Sequence, residues 1–367
     1  MGFTGVQCSR FVKLRSQRWL GWSQVIPTPL EQMQARPIFR VDEMLIVKVW
    51  RSAVSRETRR TTVLSHLIPL AIVILFAGCS SKSATPSYQT FASPDDAGNG
   101  LLTAAKSGDP NAVIAVFGPD SKDIVVTGDP VQDKNTADQV IAAYDAMHRW
   151  RKMPDGSQTL LIGADNFPFP IPLKQNAAGQ WYFDVAAGRE EILVRRIGRN
   201  ELNTMDVCMA LADAQSQYYS MRHDDGSTHE FAVKFISDSG KQNGLYWDSP
   251  EGQPKSPLGP LAAFATNEGY SLKPDSHVPF HGYFFHMLTR QGANVPGGAK
   301  DYVVNGKMTG GFAFVAYPAD YRNSGVMTFI INQDGVLLQK DLGTSTAQTA
   351  AAMTEFNPDQ SWTQVQQ

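Results

Sequence analysis

GREEILVRRIGRNELNTMDVCMALADAQSQYYSM, residues 188–221, is the longest periodic segment of the chain, and its reading sets the architecture on either side. Ile192/Leu193, Ile197, Met205, Cys208, Leu211/Ala212, Gln215 and Tyr218/Tyr219 recur at spacings of three and four, which predicts one long amphipathic helix. Glu191 and Arg195 stand one turn apart in the favourable order for an ion pair. Gly198 costs about 1 kcal/mol against alanine in a helix interior and predicts a break. Arg189, Arg195, Arg196 and Arg199 alternate with Glu190, Glu191 and Glu201, which predicts a solvated face. Cys208 lies in apolar surroundings and reads as a core cysteine, not a reactive thiol.

Upstream of this segment the signals are helical, then extended. Ser93-Pro94-Asp95-Asp96 carries an N-cap, a first-turn proline and acids at the positive helix end, so a helix is expected from there to about Lys106. A second, short helix follows Asp109-Pro110. A strand is expected over 123–127 and a third helix over 136–150. Strands are expected at 159–162, 171–174 and 180–184, the last two joined by a hairpin at Asn176-Ala177-Ala178-Gly179.

Downstream, residues 230–237 alternate around Phe231, Val233 and Phe235. Further strands are expected at 301–304, 312–317, 326–332 and 336–339. Asn332-Gln333-Asp334-Gly335 supplies a tight turn, with glycine taking the positive φ. Between them, residues 244–298 are rich in Pro and Gly and read as a long irregular insert.

Two resemblances give these halves an expected shape. The helix-first order, with Leu101–Asp109 ending one helix in Gly-Asp before a shorter one, resembles the NTF2-like superfamily, which implies a cone-shaped antiparallel sheet around a pocket. Trp150, Trp181 and Tyr182 would line it. The ending Asp213-Ala214-Gln215-Ser216-Gln217-Tyr218 resembles the helix of a type IV pilin or pseudopilin head. The stretch from Gly311 to Pro318, the loop with Tyr321 and Gly325, and the strand from Phe329 to Val336 resemble that head's last hairpin. The chain lacks the pilin's N-terminal assembly helix, so a reused pilin-head-like module is implied. The expected class is therefore α+β with two domains, an NTF2-like domain at 93–187 and a long helix with a pilin-head-like β domain at 188–343. The insert 244–298 lies inside the second, and a polar tail follows at 344–367. The whole also resembles a bacterial family of envelope proteins without an assigned function.

The beginning of the chain addresses location. Arg59-Arg60, the apolar run 63–77 and then Phe76-Ala77-Gly78-Cys79 follow the plan of a bacterial lipoprotein signal. The resemblance to the lipobox makes Cys79 the lipidation residue. Phe76 stands where leucine is usual. At 15 residues, interrupted by Ser65, His66 and Pro69, the run is short of the ~20 that a spanning helix needs, which favours a cleaved signal. Ser80 after the cysteine, by resemblance to the enterobacterial sorting rule, implies the outer membrane facing the periplasm. Residues 1–43 show no sustained period and read as a non-native or disordered extension, with translation expected from Met44 or later. Residues 44–78 are the signal peptide and 79–92 a Ser/Thr/Pro-rich tether.

Charge fits this placement. Residues 1–78 carry 11 Lys/Arg against 4 Asp/Glu, leaving the remainder at −9. An acidic body is a poor nucleic-acid partner, because such affinity rests on neutralising phosphates. The partners expected are the membrane, through the lipid on Cys79, and another envelope protein. Of three cysteines, Cys8, Cys79 and Cys208, removal of the first and acylation of the second leave Cys208 without a disulfide partner.

No catalytic set is assigned and no cofactor is expected. Ser residues lack a G-x-S-x-G elbow, and the glycines at 292–298 lack a phosphate-loop context. Asp95/Asp96, Glu190/Glu191 and Asp224/Asp225 are adjacent pairs whose side chains diverge. His277, His281 and His286, with Asp275, have metal-ligand spacing only on a helix. Pro274, Pro279 and Gly282 oppose one, so these three histidines are the metal candidates that the sequence offers and no metal is assigned. His223, the acids after it and His229 read as a turn. The function expected is a non-enzymatic binding or assembly module of the cell envelope. The alternative is a ligand-binding or hydrolytic protein using a pocket in the NTF2-like half.

Overall fold

The computed structural model describes residues 88–222, 229–250, 252–253, 255–272 and 278–366. The signal region, Cys79, most of the tether, His277 and the segment 223–228 lie outside them. The described residues form an α+β fold.

Four helices come first: α1 (Pro94–Lys106), α2 (Pro110–Phe117), α3 (Lys122–Val125) and α4 (Pro130–Ala146). Three begin alike. Ser93, Asp109 and Asp129 each accept a backbone N–H two or three residues on, and a proline occupies the first turn. The helix expected at 136–150 is thus displaced. Asp129-Pro130 repeats the start of α2, and Met147 is extended and leads into a strand. The strand expected over 123–127 is instead α3. Gly118, at φ 94°, turns the chain into a 3-10 turn, Pro119–Ser121, that runs straight into the helix.

The first sheet holds β1 (His148–Lys152), β2 (Gln158–Ile162), β3 (Phe167–Pro168), β4 (Leu173–Gln175) and β5 (Trp181–Phe183), in the order β1-β2-β4-β5 with β3 beside β2. The hairpin expected at residues 176–179 joins β4 and β5 in antiparallel register. Phe91 bridges Trp181 along the outer side of β5. Leu101, Phe117, Ile171, Leu173 and Phe183 form one apolar cluster. Tyr144, Leu160 and Ile162 form another, and Trp150 packs against both.

From this sheet the chain enters α5 (Val185–Tyr219), 35 residues and about 52 Å long. Asp184 caps it, accepting from Ala187 N. The break expected at Gly198 does not occur. Its missing side chain would face open space, and Arg196, Ile197 and Asn200 around it are buried. The pair Glu191–Arg195 forms, at 2.9 Å.

After α5 come α6 (Gly259–Asn267), β6 (Tyr283–Leu288), β7 (Arg290–Gln291), β8 (Lys300–Asp301), β9 (Val303–Val304), β10 (Lys307–Met308), β11 (Ala313–Pro318), β12 (Met327–Asn332), β13 (Leu338–Asp341), α7 (Thr346–Ala351), β14 (Glu355–Phe356) and β15 (Thr363–Gln364). Five of these make an antiparallel sheet in the order β15-β13-β12-β11-β6. Val207, Cys208, Leu211, Ala214 and Tyr218 of α5 share its core with Phe312, Phe314, Phe329 and Ile331.

Five expectations change here. Residues 230–237 are not a strand but make isolated bridges, Phe231 to Met308 and Ile236 to Tyr246. The free side of β11 is already taken by β6, so the segment lies against the core, with Phe231 on Phe312 and Phe235 on Phe314. The stretch 244–298 is not wholly irregular, since it supplies α6 and β6. The segment 344–367 holds α7 and two short strands, and β15 closes the sheet beside β13. The strand expected at 301–304 is split between β8 and β9, and the one expected at 336–339 starts at Leu338.

Candidate functional site

The densest cluster of buried polar side chains lies along the middle of α5. Arg196, Asn200 and Asn203/Thr204 follow one another at helical spacing, so they share a face. All four are buried. Toward the C-terminus the same stripe turns apolar at Val207 and Leu211. Three loops meet it: the segment 123–133, the turn Phe280–Tyr283, and the loop 320–325.

Arg196 donates to Ile124 O at 2.6 Å and to Asn323 Oδ1. The expected solvated face is therefore corrected at this residue. The carbonyls at the end of α3 attract a cation, and Arg196 supplies it. Burial lowers its pKa to about 10, opposed by Asp133. Asp133 accepts from Thr127 N and Oγ1, and burial raises its pKa against those bonds. The other arginines stay nearer the surface, Arg189 with Asp123 and Arg195 with Glu191.

Asn200 accepts from Gln132 Nε2 and donates to Ser324 O, both at 2.8 Å. Asp129, 1% exposed, joins the loops on the other side. Its Oδ2 accepts from Tyr270 Oη at 2.9 Å and from Gly282 N at 3.0 Å, while Oδ1 caps α4. Burial and the Asp129 charge push the Tyr270 hydroxyl far up. His281 and Gly282 both have positive φ, 50° and 74°, and form the tight turn that opens β6. A Cβ on Gly282 would fall 2.6 Å from Asn200 Nδ2, so glycine is required there.

His281 is 8% exposed. Its Nε2 lies 2.9 Å from Glu268 Oε2, in an alignment too poor for a hydrogen bond, and its Nδ1 is 3.4 Å from Asn203 Nδ2. A histidine facing a carboxylate is half of a proton-transfer arrangement. Here the second ring nitrogen meets an amide, and the ring lies between Phe264 and Tyr270. The chemistry on offer is recognition and locking of three loops. Next to Asn200 in sequence, Glu201 Oε1 accepts from Val326 N and Met327 N, each at 3.0 Å. Burial raises the pKa of its carboxyl against these two bonds.

The other sequence candidates are distributed. His286 sits on β6, its Nε2 2.9 Å from Met353 O, separately engaged from His281. Among the described residues no group of three His, Cys, Asp or Glu converges as metal ligands do. Cys208 is fully buried, which raises its thiol pKa. Trp150 and Trp181 pack against the first core, and Tyr182 stacks on Tyr88 at 4.6 Å. Gln215 clamps the backbone of Ala232 through both amide atoms. Tyr321 and Gly325 bridge each other as the ends of one loop. Among the described residues no helix is long and apolar enough to cross a membrane.

Sequence reasoning missed Asp129, Asn200, Tyr270 and Glu268. Asp129 carried a readable signal, the Asp-Pro pair. The others become polar partners only once distant loops meet.

These features define an α+β protein whose long central helix carries a buried polar junction between two sheets. The chain belongs to a family of proteins of unknown function, DUF2950, which matches residues 88–365. No curated protein and no solved structure matches it.

Proposed function

We propose that the chain is a lipid-anchored protein of the bacterial cell envelope, held at the outer membrane and facing the periplasm. It acts by binding or assembly, not by catalysis. The observation that carries this is Phe76-Ala77-Gly78-Cys79, followed by a polar tether and a folded body whose first bridge is at Phe91. The polar groups of the junction support the same reading, since they engage backbone and one another and so build a rigid frame. The C-terminal half serves as a pilin-head-like docking module. Support comes from the helix-then-sheet order, the Gln215 clamp at the helix end and the Tyr321–Gly325 loop before the last hairpin. The helices-then-antiparallel-sheet order of 93–187 is in keeping with an NTF2-like scaffold, here with an apolar interior. The partner is another envelope protein.

Metabolic labelling tests the anchor. Radiolabelled palmitate should enter the wild-type chain and not Cys79→Ser in the native host. Equal labelling of both chains would remove the basis of this reading.

A further inference from the structure

β1 is an edge strand: among the described strands it pairs only with β2. Its sequence, His148-Arg149-Trp150-Arg151-Lys152, holds three Lys/Arg in five residues with no acid, and all but Trp150 are exposed. Side chains alternate across a strand. Trp150 turns inward to the core, while Arg149 and Arg151 project together from the other face. Lys152 stands at the strand end. His148 is occupied, stacked on Tyr144 with its Nδ1 3.0 Å from Tyr144 O. Arg149, Arg151 and Lys152 have no hydrogen-bond or carboxylate partner among the described residues. Lys106, Lys174, Lys234 and Arg195, by contrast, are paired. Exposed methionines, Met147 and Met153, flank the strand at both ends.

We infer that this strand is a docking surface for anionic phospholipid headgroups of the membrane that carries the protein. Charge complementarity is the first argument. Two cations on the open face of the strand and a third at its end stand on a body whose net charge is otherwise negative, and two apolar side chains border them as in interfacial segments. Reach is the second. The chain joins the first sheet at Phe91, beyond β5, on the edge opposite β1. Four strand spacings separate the two edges, about 19 Å. The 12 residues from Cys79 to Phe91, fully extended, span at most about 40 Å. A body anchored at Cys79 can therefore lay β1 on the surface, and the tether raises the effective headgroup concentration enough for a weak contact to count. The inference rests on the anchor reading in this respect. Charge on an edge strand also prevents strand-to-strand aggregation, but that role needs charge of either sign and no phosphate.

The test uses the mature chain, residues 79–367 with Cys79→Ser, so that headgroup binding is measured without the lipid and without the basic and apolar signal segment. Vesicles of phosphatidylcholine alone, or with phosphatidylglycerol, are sedimented with this chain. It is compared with the same chain bearing Arg149→Gln, Arg151→Gln and Lys152→Gln, and with one bearing Arg149→Lys and Arg151→Lys. Binding to anionic vesicles should fall about 100-fold in the glutamine chain. It should be kept in the lysine chain and weaken with salt. Equal binding by the glutamine chain, or no preference for phosphatidylglycerol, would overturn the inference. So would capture of a poly-glutamate peptide without any vesicle binding, which would make the strand a peptide site. Failure of the anchor is read separately, from palmitate labelling of the wild type.

Discussion

Replacing Asp129 by alanine tests whether the junction is a working part of the fold. One carboxylate serves three donors from three places: Gln132 N at the start of α4, Tyr270 Oη after α6, and Gly282 N in the turn before β6. Loss of an N-cap costs about 1 kcal/mol. Each buried donor left without an acceptor costs about 1–3 kcal/mol. With two such donors the expected loss is about 3–7 kcal/mol, a large part of the roughly 5–15 kcal/mol that holds a typical domain. Asp129→Asn should lose less, because the amide oxygen still serves one side while its NH2 opposes the donors on the other. Urea unfolding, followed by tryptophan fluorescence and far-ultraviolet circular dichroism, gives the difference from the shift in midpoint at constant slope. Tyr270→Phe completes a double-mutant cycle, with an expected coupling above about 0.5 kcal/mol. A loss below about 1 kcal/mol for Asp129→Ala, or purely additive effects with Tyr270→Phe, would refute the reasoning.

Gly198→Ala should stabilise the protein by about 1 kcal/mol, since the position is helical and open; a lowered melting temperature would contradict an unbroken α5. Gly282→Ala should destabilise by about 2–3 kcal/mol, combining a positive φ with a clash at Asn200, and a neutral result in urea would mean that the turn relaxes freely. Burial lowers the pKa of His286 from 6.5. Its contribution is therefore complete above pH 6.5 and is lost as pH falls through the lower folded value. His286→Gln, which keeps a donor for Met353 O, should flatten the stability loss between pH 7.5 and 5 measured by urea midpoints, and parallel curves for the two chains would exclude this role.

What the sequence revealed follows the range of the forces involved. Ser93-Pro94 and Asp109-Pro110 act within one turn, and the helices begin where those pairs stand. The period of Ile197, Cys208, Leu211 and Tyr218 spans one element, and α5 forms. Asp129-Pro130 carried the same local signal but was outweighed by the later apolar face of α4. Beyond that range the reading weakens. Which of four arginines turns inward depends on Ile124 O and Asn323, and neither is a neighbour in sequence. The alternation of Phe231, Val233 and Phe235 promised a strand, but β6 holds the place beside β11. β6 itself lay hidden in a Pro/Gly-rich stretch because its four central side chains are half-buried on both faces, its end residues Tyr283 and Leu288 are fully buried, and no alternation results. The junction was legible only as separate residues, since its partners come from loops without periodic pattern.

The junction also sets an order of events in time. The bond from Asp129 to Gly282 closes across 153 residues, and that from Arg196 to Asn323 across 127. The chain emerges N-terminus first, so the residues of α1 to α4 and of the first sheet are available before these partners. Until these bonds close, water can serve Arg196 and Asp129, so their burial depends on partners far along the chain. Closure of such distant contacts is slow, so the junction is expected to be among the last parts of the fold to form.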